Sequence, residues 1–246
     1  GPGVVFGIEA AAEVFAQVGA GALKPLAPEG RWRDEVPADV AVAEGPARAL
    51  LAAERTALNL LCHLSGVATL TARYVDAVRG TGVEILDTRK TTPGMRLLEK
   101  AAVRAGGGTN HRIGLFDALL VKDNHVAAAG GVAAATRLAL ERAGGRHVQV
   151  EVDSLAELDE AVGAGARDVL LDNFDVPTTQ KAVERARELV GEGDRVLLES
   201  SGRITLGTVR AYAEAGVDRV AVGALTHSSA QLDVGLDVVV DGAGRS

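Results

Sequence analysis

The feature that most constrains the fold is a series of short apolar runs after residue 80. Each run ends at a charged residue or a glycine and is followed by a helical pattern. The runs recur at intervals of roughly 20 to 35 residues, which is the spacing of strand–helix units joined by right-handed crossovers into a parallel sheet. Because the runs are almost entirely apolar, the strands are expected to be covered on both faces. In order, they read VEILDTRK, ALLVKDNH, VQVEVDS, DVLLDN, RVLLESSG and RVAVGALTH.

The length of this region limits the number of strands. About 165 residues at roughly 25 residues per unit leave room for six or seven strands, fewer than the eight of a complete barrel. The sequence therefore predicts an α/β fold with an incomplete, six- to seven-stranded α/β barrel, and an open doubly wound sheet is the alternative. A dinucleotide-binding fold is disfavoured because the glycines at 106–108 follow a helical pattern. A phosphate-binding glycine fingerprint follows a strand instead.

The first part of the chain predicts a smaller α/β unit. Apolar residues at helical spacing indicate a helix over residues 8–18, and the proline- and glycine-rich stretch 19–46 indicates short strands joined by turns. A longer helix is predicted from Pro46 to Ser65-Gly66, followed by a second helix over about 67–79. Three segments are therefore expected: an N-terminal α/β part with its linking helix at 1–66, a barrel domain at 67–239 and a C-terminal tail at 240–246.

Composition argues against several classes of partner. The 246 residues carry a formal net charge of −7 and no basic tail, which disfavours nucleic acid and anionic membranes as partners. No stretch approaches about 18 consecutive apolar residues and no secretory signal pattern opens the chain, so a cytoplasmic location is expected. Against this acidic background, residues 87–125 contain seven Arg or Lys and four Asp or Glu. This local excess of positive charge predicts a pocket for a small anionic ligand.

Charged residues follow the ends of the predicted strands. In a parallel barrel these ends share one face, so residues far apart in sequence converge on one pocket. Any one of them alone is more simply explained as a solvated strand end, but their repetition over six units favours a common site. The residues in question are Asp87, Arg89, Lys90, Lys122, Asp123, Glu151, Asp172, Glu199, Ser201 and Gly223, with His111 and Arg112 on the loop before the second strand.

The cations come first along the chain. Arg89 and Arg112 can each grip a carboxylate or a phosphate with two parallel hydrogen bonds, whereas Lys90 and Lys122 act as point charges. These residue types predict binding of a carboxylated substrate. A lysine at a strand end is also where a Schiff base could form, so a barrel aldolase that uses Lys122 is a second hypothesis.

The acids come later along the chain. Glu151 and Asp172 supply oxygen ligands that suit Mg²⁺ carried in with a phosphorylated substrate. The last run, AVGALTHSS, places backbone N–H groups at a glycine turn beside His227, where barrels often bind phosphate. The residues alone therefore predict that a polyanionic substrate with Mg²⁺ meets a carboxylated one. Transfer of a phosphorylated sugar fits that demand.

A set of motifs runs through the chain in the order ERTALNLLCHLSG, DTRKTTPG, GGGTNHR, KDNH, EVDS, LLDN, LESSG and VGALTH. From about Gly3 to Val239 the chain resembles the quinolinate phosphoribosyltransferases, also called carboxylating nicotinate-nucleotide pyrophosphorylases. The resemblance implies an N-terminal α/β sandwich domain packed with an incomplete α/β barrel. It also implies a homodimer whose active site takes residues from both subunits. By the same resemblance, the sequence is expected to begin inside the sandwich domain, after the family's first helix and strands.

The resemblance implies phosphoribosyl transfer to quinolinate from 5-phosphoribosyl 1-pyrophosphate with loss of CO₂, giving nicotinate mononucleotide and pyrophosphate in NAD biosynthesis. A paralogue that binds a ligand without turnover is a further alternative. By similarity, the catalytic residues would be Lys90, Lys122, Glu151 and Asp172, the last two with Mg²⁺. The quinolinate carboxylates would be held by Arg55 (reaching across the dimer), Arg89, His111, Arg112 and Lys122, supported by Thr88 and Lys90. The sugar-phosphate end would be lined by Glu199, Ser201, Gly223 and His227.

Overall fold

The computed structural model describes residues 1–191 and 193–239. The predicted tail at 240–246 lies outside these residues. The chain forms two compact units: Gly1–Ala72 with Ala101–Gly107 and the segment from Ser229 onward, and Arg73–Lys100 with Gly108–Ser228. None of the helices in the described part combines the length and the apolar composition that a membrane span requires.

The first unit contains one short amphipathic helix and two antiparallel strand pairs. The helix α1 (Ile8–Gln17) confirms the helix predicted at 8–18. It buries Ala11 and Phe15 in a cluster with Ala53 and Ala57, which is the apolar face that the helical spacing indicated. The strands are β1 (Gly3–Val4), β2 (Leu23–Pro25), β3 (Trp32–Arg33) and β4 (Ala41–Ala43), paired β1 with β3 and β2 with β4.

The long helix α2 runs without a break from Ala47 to Ala77, and its last residues, from Arg73, belong to the second unit. The predicted helix end at Ser65-Gly66 is therefore wrong. A Cβ on Gly66 would lie 2.2 Å from the carbonyl oxygen of Ala230, and the Ser65 hydroxyl accepts a hydrogen bond from the backbone N–H of Phe6 at 3.0 Å. Both residues serve close packing against neighbouring backbone, so neither ends the helix. The predicted division after residue 66 falls inside this one helix.

The second unit contains a parallel sheet that has six strands among the described residues. Neighbouring strands along the chain are neighbours in the sheet from the second strand to the sixth, and the sixth returns to pair with the first. A doubly wound sheet would reverse its order at a switch point, so the order is that of an incomplete barrel, as predicted. Among the described strands, the first and second are the two edges of the sheet. The strands are β5 (Glu84–Leu86), β6 (Ala118–Val121), β7 (His147–Val152), β8 (Asp168–Asp172), β9 (Leu197–Ser201) and β10 (Arg219–Ala221).

A helix follows each of the six strands along the chain. Two of these helices begin directly after a strand with a side-chain cap: Ser154 accepts from the backbone N–H of Glu157, and Asp175 accepts from that of Thr178 at 2.8 Å. These caps hold the strand-end residues in a fixed position relative to the helices. The helices are α3 (Arg96–Ala105), α4 (Asp123–Ala129), α5 (Val132–Arg142), α6 (Leu155–Gly163), α7 (Val176–Val190), α8 (Val209–Glu214) and α9 (Ala224–His227).

Candidate active site

The carboxyl ends of the barrel strands lie side by side at one edge of the sheet. The register pairs Asp172 with Ser201, Ser201 with Ala221, and Ala221 with Leu86. Because all six of these strands are parallel, the segments that follow them start from the same edge. This edge carries most of the residues that the sequence predicted for the site.

A cluster of opposite charges lies at this edge between β5 and β7. The Lys122 ammonium, directly after β6, forms an ion pair with the Glu151 carboxylate on β7. Burial and the positive charge of Arg89 lower the pKa of Arg112, and the charges of Asp117 and Glu151 oppose this effect. The structure thus places Arg89 and Glu151 within electrostatic reach of Arg112, and Lys122 in contact with Glu151. The Lys122 amino group is thus engaged by a carboxylate, whereas a Schiff-base lysine needs this group open to a carbonyl substrate.

Lys90 lies beside the turn after β10. A Cβ on Gly223 would lie 3.4 Å from Cδ of Lys90 and 3.1 Å from Nε2 of His227. The Thr226 hydroxyl donates to the carbonyl oxygen of Lys90 at 2.8 Å, and the Thr88 hydroxyl accepts from the Lys90 N–H at 3.0 Å. Lys90, Gly223 and His227 therefore lie together, and the glycine leaves open the space that a side chain would fill.

Asp172 and Ser201 are held by contacts between the two turns that follow β8 and β9. Asn173 has a φ of 56°; its side-chain amide donates to the Asp172 carboxylate at 2.7 Å and its backbone N–H donates to the Ser201 carbonyl at 2.9 Å. Gly202 has a φ of 102°, and a Cβ there would lie 2.3 Å from Oδ1 of Asn173. Only glycine fits such a contact in this backbone conformation.

Glu199 lies in the barrel interior, two residues before Ser201. Its side chain is fully buried and accepts a hydrogen bond from Nε2 of Gln149 at 2.9 Å, with Nε of Arg219 3.6 Å away. Within the described part of the chain, its Oε1 has no hydrogen-bond partner, and this atom lies 3.6 Å from Nε2 of His111. Burial raises the pKa of Glu199 to about 7. The carboxyl group thus faces protein groups, and its predicted role at the sugar-phosphate end stays a prediction.

His111 uses both ring nitrogens within the protein. Its Nδ1 accepts from the backbone N–H of Arg112 at 2.7 Å, and its Nε2 lies 3.0 Å from Oε1 of Gln149. Since the Gln149 amide nitrogen donates to Glu199 and Asp168, its oxygen is the acceptor, which assigns the proton to Nε2. Burial lowers the pKa of His111 and favours this neutral form. In this conformation, therefore, neither ring nitrogen is available to a substrate carboxylate.

A cavity of about 180 Å³ lies at the opposite end of the barrel strands. Its lining includes the first residues of β6, β7, β8 and β10, namely Ala118, His147, Asp168 and Arg219. Asp168 accepts from both His147 and Arg219, the latter at 2.5 Å. Three of the predicted site residues, His111, Arg112 and Glu199, also line this cavity. The Arg112 guanidinium donates to the carbonyl oxygen of Ala118 at 3.2 Å, whereas Lys122, Glu151 and Asp172 lie at the carboxyl edge.

Arg55 belongs to the other compact unit. It lies on α2, where its guanidinium is 3.7 Å from the Glu54 carboxylate and its side chain is 75% exposed. Its predicted contribution to the active site involves a partner subunit and stays a prediction.

The sequence reasoning missed the buried groups beneath residues 87–92 and 109–112, the two cation-bearing segments that contain Arg89, Lys90 and Arg112. Asp87 was grouped with the charged strand ends, but its side chain is fully buried, as is that of Lys100 on α3. One signal could have indicated that Gln149 belongs to the site. Side chains alternate along a strand, so Gln149 lies on the same face of β7 as the predicted Glu151. At Asp87, the change from apolar to charged residues did not indicate whether the side chain is buried or points to solvent.

The open barrel and the cluster of cations and carboxylates at its carboxyl edge define an α/β-barrel protein with a highly charged site. The family descriptions "Quinolinate phosphoribosyl transferase, N-terminal domain" and "Quinolinate phosphoribosyl transferase, C-terminal domain" match residues 1–65 and 67–237. The chain therefore belongs to the quinolinate phosphoribosyl transferase family.

Proteins from three bacteria illustrate the similarity. The nicotinate-nucleotide pyrophosphorylase [carboxylating] of Mycobacterium leprae is 49% identical over 241 residues, which cover 96% of this chain and 83% of the relative. The solved structure of the nicotinate-nucleotide pyrophosphorylase from Francisella tularensis matches with a TM-score of 0.85 at 41% identity, covering 94% of this chain and 81% of that one. The corresponding structure from Ehrlichia chaffeensis has a TM-score of 0.88 at 34% identity and covers 96% and 84%. These matches support the predicted fold.

Proposed function

We propose that this chain transfers the phosphoribosyl group of 5-phosphoribosyl 1-pyrophosphate to the ring nitrogen of quinolinate. Pyrophosphate leaves, the carboxylate beside the nitrogen is lost as CO₂, and nicotinate mononucleotide is formed for NAD biosynthesis. The observation that carries the proposal is a chain of neighbouring charges: Arg89 acts on Arg112, Arg112 on the Glu151 carboxylate, and Glu151 pairs with Lys122. The two carboxylates of quinolinate require cationic side chains to bind them. The Mg²⁺ that accompanies the pyrophosphate requires a carboxylate close to those cations. Membership of the family and the names of its relatives support the same reaction.

The cations have two uses in this reaction. Arg89, Arg112 and Lys122 would neutralise the two quinolinate carboxylates, at about 1.5–3 kcal/mol for each charge-assisted hydrogen bond. They also let a carboxylate stay next to a ring nitrogen that becomes cationic on ribosylation, and this positive ring favours the loss of CO₂. In this part of the proposal, His111 contacts the substrate only if its ring turns away from Gln149.

The phosphoribosyl pyrophosphate would lie against the strand ends from β7 to β10. Its pyrophosphate and ribose would face Lys90, Glu151 and Asp172, and its 5-phosphate would face the glycine turns at Gly202 and Gly223, beside Ser201 and His227. An oxocarbenium-like centre needs alignment and charge compensation more than a covalent catalyst. The tight turn that fixes Asp172 supports such a positioning role.

The donor set fits Mg²⁺ that arrives with its substrate. The described residues contain no group of three or more His, Cys, Asp or Glu side chains suited to a metal ion. Mg²⁺ commonly binds through one or two carboxylates together with substrate phosphates and waters, and Glu151 and Asp172 lie on neighbouring strands at the site edge. When bound, the ion would neutralise charge on the leaving pyrophosphate.

We also infer a homodimer, and the expected location is the cytoplasm. Exposed apolar side chains support an interface on the second unit: Leu97, Leu115 and Phe116 are 71%, 68% and 72% exposed. If Arg55 completes the site of the partner subunit, mixing Arg55→Ala and Arg112→Ala proteins will restore part of the activity that each variant lacks at low quinolinate concentration, because mixed dimers contain one intact site. No recovery on mixing contradicts a shared site.

An assay with quinolinate, the sugar pyrophosphate and Mg²⁺ tests the proposed reaction. The expected product is nicotinate mononucleotide, and nicotinate in place of quinolinate is expected to give none. Turnover of nicotinate alone would indicate a different transferase. Calorimetric binding of quinolinate without product would indicate a ligand-binding paralogue. An Arg137→Ala variant, on the exposed face of α5, is the control for loss of an arginine outside the site.

A further inference from the structure

A buried ion pair lies directly beneath the cation-bearing segments. Nζ of Lys100 is 2.5 Å from Oδ1 of Asp87, and the Lys100 and Asp87 side chains are 2% and 0% exposed. Burial raises the pKa of Asp87 and lowers the pKa of Lys100, and the bond between the two groups opposes both shifts. A pair of this kind is costly to desolvate unless further hydrogen bonds satisfy its remaining atoms.

Those further hydrogen bonds go to the loop that carries His111 and Arg112. Oδ1 of Asp87 accepts from the backbone N–H of His111 at 2.8 Å, and Nζ of Lys100 donates to the carbonyl oxygen of His111 at 2.8 Å. Oδ2 of Asp87 accepts from the Asn110 side chain at 2.6 Å. The ion pair thus holds both backbone polar groups of the residue that precedes Arg112.

The same region also fixes the segment that carries Arg89 and Lys90. Asp87 itself lies two residues before Arg89, and its backbone N–H donates to the carbonyl oxygen of Thr109 at 3.2 Å. Glu99, the neighbour of Lys100 on α3, accepts from the backbone N–H of Thr92 at 3.0 Å. Two consecutive buried residues of one helix therefore anchor both cation-bearing segments.

This anchoring opposes the electrostatic repulsion between Arg89 and Arg112. The positive charges of Arg89 and Arg112 lie close enough for Arg89 to lower the pKa of Arg112, so the two side chains repel each other before an anion binds. Unrestrained loops would relieve this repulsion by moving apart. Buried hydrogen bonds to both segments oppose that movement.

We propose that Asp87 and Lys100 are positioning residues that set the separation of Arg89 and Arg112 for a substrate with two carboxylates. This inference rests on the proposed function for the identity of the substrate. Neither residue contacts the substrate; both act through the backbone of residues 87–92 and 109–112. The consequence is that the pair controls recognition of quinolinate more than recognition of the sugar pyrophosphate.

The test is a charge-neutral double variant, Asp87→Asn with Lys100→Met. Removing both charges avoids the uncompensated buried charge that either single variant leaves. We expect at least a tenfold increase in KM for quinolinate, less than a twofold change in KM for the sugar pyrophosphate, and faster amide hydrogen exchange at His111 and Arg112 in the ligand-free protein. The single variant Lys100→Arg keeps the positive charge and the donors. We therefore expect it to raise KM for quinolinate less than the double variant does.

Equal increases in both KM values, or unchanged exchange at His111, would overturn the proposal, because a merely structural pair affects both substrates alike. Asn110→Ala removes its bonds to the Asp87 carboxylate and to the carbonyl oxygen of Lys100 but leaves the ion pair in place, and we expect a smaller change in the same direction. This variant decides the question if the double variant does not fold. Absence of turnover by the wild-type protein would refute the proposed function, whereas the exchange experiment tests the anchoring independently of any substrate.

Discussion

Glu199→Gln is expected to change how stability depends on pH. The Glu199 carboxyl faces Gln149 and Arg219 directly, with His111 3.6 Å away and the charges of Asp168 and His147 also acting on it. Glutamine has nearly the same shape but no charge. The variant therefore isolates the cost of ionising one buried carboxyl group.

The sign follows from the direction of the pKa shift. Burial raises the pKa of Glu199 from 4.5 to about 7, so the folded protein binds this proton more tightly than the unfolded chain. The resulting stability is fully present below pH 4.5 and is lost as the pH rises through about 7. At about 1.4 kcal/mol per pH unit over this interval, the loss is about 3 kcal/mol.

Urea unfolding of both proteins at a series of pH values from 4.5 to 8 measures this effect. Relative to the wild type, the Gln variant should gain about 3 kcal/mol of unfolding free energy across the series. Glu184→Gln, at an exposed position on α7, is the control and should show a constant difference. A pH-independent difference for Glu199→Gln would show that this carboxyl group is not held in a raised-pKa environment.

Arg112→Ala should raise KM for quinolinate at least tenfold, because one charge-assisted hydrogen bond contributes about 1.5–3 kcal/mol. KM for the sugar pyrophosphate should be nearly unchanged. Equal effects on both KM values in steady-state assays would mean that the two substrates contact different residues from those proposed. Asp172→Ala should show the reverse in the same assays. Gly106→Ala should destabilise the protein by about 1–3 kcal/mol in thermal unfolding, because its Cβ would lie 2.4 Å from the carbonyl oxygen of Ala68. Gly163→Ala, with open space around it, should be neutral or stabilising by up to about 1 kcal/mol; equal losses for both glycines would contradict this account.

The order of strands and the edge that carries the site could be predicted because apolar runs and their spacing are local properties of the sequence. The parallel topology then follows from connection length, and strand-end residues such as Lys122 and Glu151 meet as a consequence. The pattern could not give the direction of a side chain at a strand end. The Asp87 side chain is buried because it pairs with the buried Lys100, which lies 13 residues away on α3. Arg89, two residues after Asp87, is exposed.

Helix α2 shows a second limit of the sequence. Ser65-Gly66 is a common sign of a helix end, yet here the glycine permits contact with the backbone of Ala230, more than 160 residues away. Likewise, the hydrogen bond from Gln149 that holds Glu199 depends on how β7 and β9 curve around the barrel. Such requirements arise from tertiary contacts, and a local pattern does not contain them.

The most direct test of the proposed reaction uses quinolinate labelled with ¹³C in the carboxylate next to the ring nitrogen. With 5-phosphoribosyl 1-pyrophosphate and Mg²⁺, the protein should release labelled CO₂, pyrophosphate and nicotinate mononucleotide in equal amounts, and none of them when the sugar pyrophosphate is omitted. Pyrophosphate released without labelled CO₂, or no product at all from folded protein, would contradict the central claim.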